Sequence, residues 1–291
     1  MVNVPQRVMK VLKGKVSRIR ATRETSRLFY KSSGTEKLLG NVLYETLRSS
    51  ITISEKDWIR KIETLRENLN TSKDQILVAD YGAGKSNLGL TQDEMNKGRL
   101  ESRIVGDICR AASKPYLWCL LLFKLIRNFK PTNCLELGTC LGISASYQAA
   151  GLKLNGSGHL ITLEGASALA SLATKHFDEF GLNTIASVIV GRFNDTLGRV
   201  LNEQRHIDYA FIDGHHDEAA TISYFNQIMQ YVLKKAVLVF DDINWSEGMK
   251  TAWETIIRDE RLKICVNLRQ IGICIIDDEI TEKKNFSIPF I

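Results

Sequence analysis

The sequence predicts an α/β fold: a doubly wound, mainly parallel sheet of seven strands that ends in an antiparallel hairpin. Three observations support this prediction. From residue 133 onward, short apolar runs alternate with helical patterns, as in strand–helix–strand units. A turn with two glycines, 138–142, follows the first of these strands and precedes a helix. The last two apolar runs, 262–268 and 271–276, are separated by two residues, too few for a parallel crossover, so we expect a hairpin with one antiparallel edge strand.

The elements between the glycine turn and the hairpin follow in a regular order. The predicted strands are 158–164, 185–190, 207–213 and 236–242, and the predicted helices are 167–180, 195–203, 217–233 and 246–259. Each strand is a short apolar run, as expected when both faces of a parallel sheet are covered. A helical extension precedes this sheet, with predicted helices at 36–50, 54–69 and 116–129.

The charge of the 291-residue chain is concentrated near its start. Residues 1–50 contain 11 Lys or Arg against three Glu, a net charge of +8, and the remainder has a net charge of −2. The part of the chain that forms the sheet is therefore near neutral, which argues against a long groove that follows nucleic-acid phosphates. We expect no nucleic-acid partner.

The six cysteines show no C-x-x-C spacing and fall mostly inside predicted strands or helices. This pattern is typical of reduced, buried thiols rather than of a disulfide framework or a zinc site. No signal-peptide pattern is visible near the N-terminus, and the most apolar run, 116–123, is too short to span a bilayer. A cytoplasmic location is the expectation.

Two N-terminal regions precede the sheet. Residues 1–31 form a basic arm in which apolar residues recur at near-helical spacing. Such an arm contacts an anionic membrane surface, packs on a partner subunit of a homo-oligomer, or is solvated. Residues 32–130 form a mainly helical region, where a small-molecule enzyme could build a cover over its substrate.

A second glycine-containing turn lies in this region, after the predicted strand 75–80. The residues Ala79 and Gly84-Lys85-Ser86 resemble a phosphate-binding P-loop whose first glycine is replaced. A true P-loop opens a helix that holds the phosphate at its N-terminus, and the residues that follow here are loop-like. A structural turn between Gly82 and Gly84 is favoured, and a P-loop nucleotide-binding protein is the weaker alternative.

The turn at 138–142 has the features of a cofactor site. Gly138 and Gly142 allow a sharp turn and a close approach to a ligand, at the carboxyl end of the first strand. Glu164 ends the next strand, 28 residues after Glu136. A carboxylate at that place accepts hydrogen bonds from both ribose hydroxyls of a nucleotide-like cofactor.

The nature of the cofactor follows from Glu136. Dinucleotide-binding loops read G-x-G-x-x-G, and a carboxylate just before the loop would repel a pyrophosphate. The same carboxylate suits the sulfonium and ammonium groups of S-adenosylmethionine. The run Glu-Leu-Gly-Thr-Cys-Leu-Gly-Ile-Ser, residues 136–144, resembles the first motif of class I methyltransferases, particularly the catechol O-methyltransferase-like group. The resemblance covers residues 131–277, about half the chain, and leaves 278–291 as a C-terminal tail.

The resemblance implies a Rossmann-like fold and a set of cofactor contacts. It assigns cofactor binding to residues of the glycine turn and of the next two strand ends: Glu136, Gly138, Thr139, Gly142, Ser144, Glu164, Gly165, Phe193, Asn194 and Asp213. Phe193 or Asn194 matches the place that covers the adenine in the family. An independent interpretation of that turn is that Asp195 caps the helix that follows.

The end of the fourth strand carries the candidate catalytic residues. Asp213 would face the methyl end of the cofactor, and His216 takes up a proton near neutral pH. The resemblance places His216 where the catechol enzymes have a catalytic lysine, so the identity of the base stays open.

Two further carboxylates, Asp241 and Asp242, end the neighbouring strand. Two or three carboxylates that converge there, Asp213 included, would suit Mg²⁺. The resemblance implies the same metal, although the family pair is Asp-Asn and Asp242 here replaces the Asn. In the alternative interpretation, Asp242 only caps a turn.

The combined prediction is an S-adenosylmethionine-dependent methyltransferase that acts on a hydroxyl of a small molecule, such as a sugar or a phenol. Nothing resembles the Asn-Pro-Pro-Tyr signature of amino-methylating DNA enzymes. Because the family lysine is missing, a cofactor-binding scaffold without catalysis is the main alternative.

Overall fold

The computed structural model describes residues 6–30, 32–80 and 99–290. Its helices are α1 (Gln6–Phe29), α2 (Gly34–Arg48), α3 (Ile53–Thr71), α4 (Val105–Ala112), α5 (Tyr116–Phe129), α6 (Ile143–Asn155), α7 (Ser167–Phe180), α8 (Phe193–Gln204), α9 (Glu218–Met229) and α10 (Glu247–Ile256). Its strands are β1 (Gln75–Asp80), β2 (Arg99–Ile104), β3 (Asn133–Leu137), β4 (His159–Glu164), β5 (Ala186–Val190), β6 (Tyr209–Ile212), β7 (Lys235–Phe240), β8 (Leu262–Asn267), β9 (Gly272–Asp277) and β10 (Lys284–Ser287). The strands predicted from 133 to 276 are all present.

The main sheet has the order β10-β8-β9-β7-β6-β3-β4-β5. Parallel pairing connects β5, β4, β3, β6 and β7, and the chain reverses its direction of winding beside β3. The prediction of a doubly wound α/β fold is therefore confirmed. The predicted C-terminal hairpin is also present, since β8 and β9 pair antiparallel.

Two details of the sheet differ from the prediction. The antiparallel strand β9 lies inside the sheet, between β7 and β8, rather than at an edge. All six of its residues are buried, and two hydrogen-bonded neighbours satisfy the backbone groups of such a strand. The sheet has eight strands rather than seven because Lys284–Ser287, in the predicted tail, pairs parallel with β8.

The core has two layers, one on each face of the sheet. Alternate residues of β6 show the division: Tyr209 and Phe211 pack with the side of α2 and α5, and Ala210 and Ile212 pack with the side of α8 and α9. This alternation follows from the two-residue period of a strand. Both faces are covered, which explains why the parallel strands are continuously apolar.

Within the helical extension, ion pairs of Lys124 connect α5 with α2 and α3. Lys124 Nζ lies 3.0 Å from Glu45 Oε2 of α2 and 2.9 Å from Glu55 Oε2 of α3. The hairpin β1–β2 forms a separate two-stranded sheet. The P-loop-like turn between Gly82 and Gly84 lies outside the described residues, as do the first five residues of the basic arm. None of the helices in the described ranges is long and apolar enough to cross a membrane.

Candidate functional site

The glycine turn after β3 lies against the ends of both neighbouring strands. The backbone N–H groups of Gly138 and Thr139 donate to the Leu163 carbonyl oxygen of β4, at 3.0 and 3.2 Å. Gly138 has a φ of +105°, and a Cβ there would lie 2.0 Å from the carbonyl oxygen of Asp213. Gly142, with a φ of +78°, caps the N-terminus of α6. Glycine is therefore required at 138 by both backbone conformation and space.

Glu136 lies beneath this turn and is fully buried. Its carboxylate accepts from Gln148 Nε2 at 2.7 Å and from Thr162 Oγ1 at 2.6 Å, and the Ser144 hydroxyl is a third partner. Burial raises the pKa of Glu136 to about 7, although these hydrogen bonds favour the charged form. The side chain of Glu136 thus connects β3 with β4 and α6.

Thr139 belongs to the same buried network, since its hydroxyl is 2.6 Å from that of Thr162. Three of the predicted cofactor residues, Glu136, Thr139 and Ser144, are therefore brought together by side chains that bond within the protein. Thr139 and Ser144 also line the cleft described below.

Glu164 lies across the turn from Gly138. Its carboxylate accepts from the backbone N–H of Cys140 at 2.8 Å and of Ala166 at 2.9 Å, and the N–H of Gly165 is a further donor. Burial raises the pKa of this carboxyl above its ordinary value. A carboxylate has about four acceptor positions, so Glu164 retains capacity for a ligand hydroxyl.

Phe193 and Asn194 begin α8 and lie beside the end of β6. The Phe193 ring is 5.8 Å from the Tyr224 ring, and a Cβ on Gly214 would lie 2.5 Å from it. The Tyr224 hydroxyl donates to Asn194 Oδ1 at 3.2 Å and lies 2.8 Å from His215 Nδ1. The structure therefore places both predicted adenine residues next to the loop that carries the candidate base.

The three predicted metal-binding carboxylates follow neighbouring strands. The N–H of Asp213 donates to Leu137 at the end of β3, and the N–H of Asp241 donates to Ile212 at the end of β6, both at 2.9 Å. Ligand atoms of Asp213, His216 and Asp241 all lie within 4.8 Å of one another. Asp242, with a φ of +50°, is directed differently: its carboxylate accepts from Gln270 Nε2 at 3.3 Å.

His216 lies between two of these carboxylates. Its Nε2 is 3.8 Å from Asp213 Oδ1, and its Nδ1 is 3.8 Å from Asp242 Oδ2. His215 and His216 both have positive φ, 71° and 41°, which is uncommon for two consecutive residues with side chains. Such conformations are often found at functional sites. The ring of the half-exposed Trp245 is 5.7 Å from that of His216.

Sequence reasoning missed Lys114, which stands between α4 and α5. Its ammonium contacts Asp241 Oδ2 and lies 3.3 Å from Asp213 Oδ1. Burial raises the pKa of Asp213, and the charges of Lys114 and His216 oppose that rise. In the sequence, Lys114 is one lysine before a proline that starts a helix, and no local pattern distinguishes it.

A cleft lies beside the predicted cofactor turn. Residues 112–114 line one wall, and the glycine turn with the first residues of α6 lines the other. Asp213 also lines the cleft. The predicted cofactor loop and the predicted catalytic carboxylate therefore share one space.

This sheet order, with a glycine turn after β3 and acidic residues after β4, β6 and β7, defines the class I methyltransferase fold. Comparison with known proteins agrees: residues 135–243 match the family model described as a methyltransferase domain. That part of the chain is therefore similar to methyltransferase domains, in agreement with the resemblance.

Individual relatives are similar to parts of the chain. A curated catechol O-methyltransferase from Niastella koreensis is 32% identical over 112 residues, which are 38% of this chain and 49% of the relative. The chain thus spans about half the length of the curated relative it matches.

Solved structures show the same fold at lower sequence identity. An O-methyltransferase from Bacillus cereus, in complex with S-adenosylhomocysteine, has a TM-score of 0.50 at 23% identity, over 57% of this chain and 84% of that chain. A methyltransferase from Podospora anserina, also with S-adenosylhomocysteine, has a TM-score of 0.52 at 14% identity, over 84% of this chain and 97% of that chain.

Proposed function

We propose that this protein transfers a methyl group from S-adenosylmethionine to a hydroxyl of a small molecule. One observation carries the proposal: the glycine turn and Asp213 line one cleft, and ligand atoms of Asp213, His216 and Asp241 lie within 4.8 Å of one another at the carboxyl ends of β6 and β7. Ligands of doubly wound sheets bind in this position. The bound cofactor product in two structural relatives supports the choice of cofactor.

The cofactor would lie along the glycine turn. Glu164 would accept hydrogen bonds from the ribose hydroxyls, since it lies across the turn and has free acceptor capacity. Phe193 and Asn194 would border the adenine. Asp213 would lie near the sulfonium, because its carboxylate lines the cleft beside Gly138.

The sulfonium is already an activated methyl donor, so the protein has to align the acceptor and remove its proton. His216 would accept that proton through its imidazole. Asp213 and Asp242 flank the ring at 3.8 Å on each side, and both carboxylates would stabilise the imidazolium that forms.

Magnesium is implied by the resemblance, and the cluster permits a direct test of its fit. Asp213, His216 and Asp241 offer three ligand atoms, but the Lys114 ammonium contacts an oxygen of each carboxylate. Asp241 Oδ1 is buried and has no hydrogen-bond partner among the described residues. Because a cation already contacts one oxygen of each carboxylate, the residues as arranged do not fit a divalent ion, and we derive no step through one.

The region 32–130 would serve as the substrate cover, a role supported by the cleft wall that residues 112–114 form. All six cysteines are free thiols, which supports a reducing, cytoplasmic location. The membrane contact of the basic arm and self-association stay predictions.

Calorimetry and turnover test the proposal. The protein should bind S-adenosylhomocysteine and not ATP, and it should methylate members of a panel of phenols and sugars. Binding without turnover on any acceptor would favour the scaffold alternative, and binding of ATP alone would favour the P-loop alternative.

A matched pair of variants assigns the base. His216→Ala should lower kcat by about 100-fold or more, whereas cofactor affinity should change little. His206→Ala, at a histidine that bonds Asn133 at the opposite end of the sheet, is the control. Equal kcat values for His216→Ala and the unmodified protein would exclude His216 as the base.

A further inference from the structure

We propose that the ammonium of Lys114 takes the place of a divalent ion at the methyl-transfer site, so that methyl transfer proceeds without metal. The inference rests on the proposed function and specifies how its site is charged. Lys114 is a positioning residue in this proposal: it holds the carboxylates of Asp213 and Asp241, and His216 remains the group that accepts the proton.

The first support is the contact geometry. Lys114 Nζ lies 3.3 Å from Asp213 Oδ1 and also contacts Asp241 Oδ2. The Lys114 side chain is 10% exposed, and those of Asp213 and Asp241 are 13% and 0% exposed. Carboxylates buried this deeply require an opposite charge, and Lys114 supplies one to both.

The second support is competition for the same oxygens. Mg²⁺ needs near-octahedral oxygen coordination at short distance, and Lys114 already contacts one of the two oxygens of each carboxylate. An ammonium and a divalent cation on the same pair of carboxylates would also repel each other strongly at low dielectric. Occupation by the ammonium therefore disfavours occupation by the metal ion.

The third support is the origin of the charge. Residues 213–217 and 241–246, which follow β6 and β7, contain no lysine, and position 216 is a histidine. Lys114 instead comes from the segment before α5, outside the residues that match the methyltransferase family model. Residues 112–114 line the cleft together with Asp213, and the Lys114 ammonium contacts the carboxylates that follow β6 and β7. A positive charge is thus supplied to the cluster from a second segment of the chain.

Metal binding tests the proposal without any assay of activity. Mn²⁺ alone is titrated into the protein and followed by electron paramagnetic resonance. The unmodified protein should bind no stoichiometric Mn²⁺, and Lys114→Met should gain a site, because the carboxylates lose their cation. Lys235→Met is the matched control: Lys235 contacts Asp277 and Glu279 at the other end of β7, and it is exposed. That variant should gain no site.

Activity provides the second measurement. The unmodified protein should keep its activity in EDTA. Lys114→Met should lower kcat roughly tenfold or more while S-adenosylhomocysteine affinity stays within about threefold. Ethylamine added to Lys114→Ala should restore part of the lost kcat, a response that a merely structural role would not give.

Stoichiometric Mn²⁺ binding by the unmodified protein, or its inactivation by EDTA, would overturn the proposal. So would failure of Lys114→Met to bind Mn²⁺ when it is folded. Mn²⁺ binding and activity in EDTA are both measured on the unmodified protein, so these two tests hold even if the Lys114 variants do not fold. If the unmodified protein does not bind S-adenosylhomocysteine, the proposed function itself fails. If the protein binds S-adenosylhomocysteine but loses activity in EDTA, only the inference about Lys114 fails.

Discussion

Glu136 should make the stability of the protein depend on pH in a way that one substitution removes. Its carboxyl is fully buried, and burial raises its pKa from an ordinary 4.5 to about 7. The folded protein therefore binds a proton at Glu136 between pH 4.5 and 7 that the unfolded chain releases. Since the folded state binds more protons in this window, its stability falls as pH rises through it.

The size of the effect follows from the pKa. Each unit corresponds to about 1.4 kcal/mol, so a rise from 4.5 to about 7 corresponds to about 3 kcal/mol. The contribution is fully present below pH 4.5 and is lost as pH rises through 7. Glu136→Gln keeps a neutral side chain of similar shape at every pH and removes this term.

The assay is urea unfolding of both proteins from pH 4.5 to pH 8. The free energy of unfolding of Glu136→Gln minus that of the unmodified protein should increase by about 3 kcal/mol as pH rises from 4.5 to 8. All other titrating groups cancel in the difference. Glu179→Gln, at a carboxylate that is 50% exposed on α7, is the control for the same exchange at the surface. A difference that does not change with pH for Glu136→Gln would refute a buried, neutral Glu136.

Two further predictions concern packing. Gly138→Ala should abolish S-adenosylhomocysteine binding in calorimetry, because its Cβ would lie 2.0 Å from the Asp213 carbonyl oxygen. Gly198→Ala is the control and should leave binding intact, because its Cβ would meet no described atom within 4 Å. Loss of binding in both variants would show that the effect is not specific to the turn at Gly138. Phe290→Ala should cost about 3–5 kcal/mol of unfolding free energy in urea, since Phe290 is fully buried and stacks on Trp118 at 5.4 Å. A cost below about 1 kcal/mol would show that the segment after β10 packs weakly.

The sequence was sufficient for those parts of the site that follow from strand order. Gly138 and Asp213 end strands that a doubly wound sheet places side by side, so their proximity could be predicted from the alternation of strands and helices alone. The two-residue connection likewise determined the hairpin of β8 and β9.

Other features depend on contacts between distant segments. Lys114 reaches the carboxylates only because α5 packs on the sheet, and its neighbours in the sequence carry no sign of this. The direction of the Asp242 carboxylate depends on a left-handed backbone that its residue type does not specify. The strand β10 has four residues and alternates between exposed and half-buried positions, which is a weak signal without its partner β8.

Lys114 precedes residues 135–243, which match the methyltransferase family model, yet its ammonium contacts two carboxylates inside that range. The boundary of sequence similarity and the boundary of the working site therefore differ. A chimera that joined residues 131–277 to the N-terminal region of a relative would keep every glycine and aspartate of the site and would lose its cation. The presence or absence of this cation would then be inherited with the N-terminal parent.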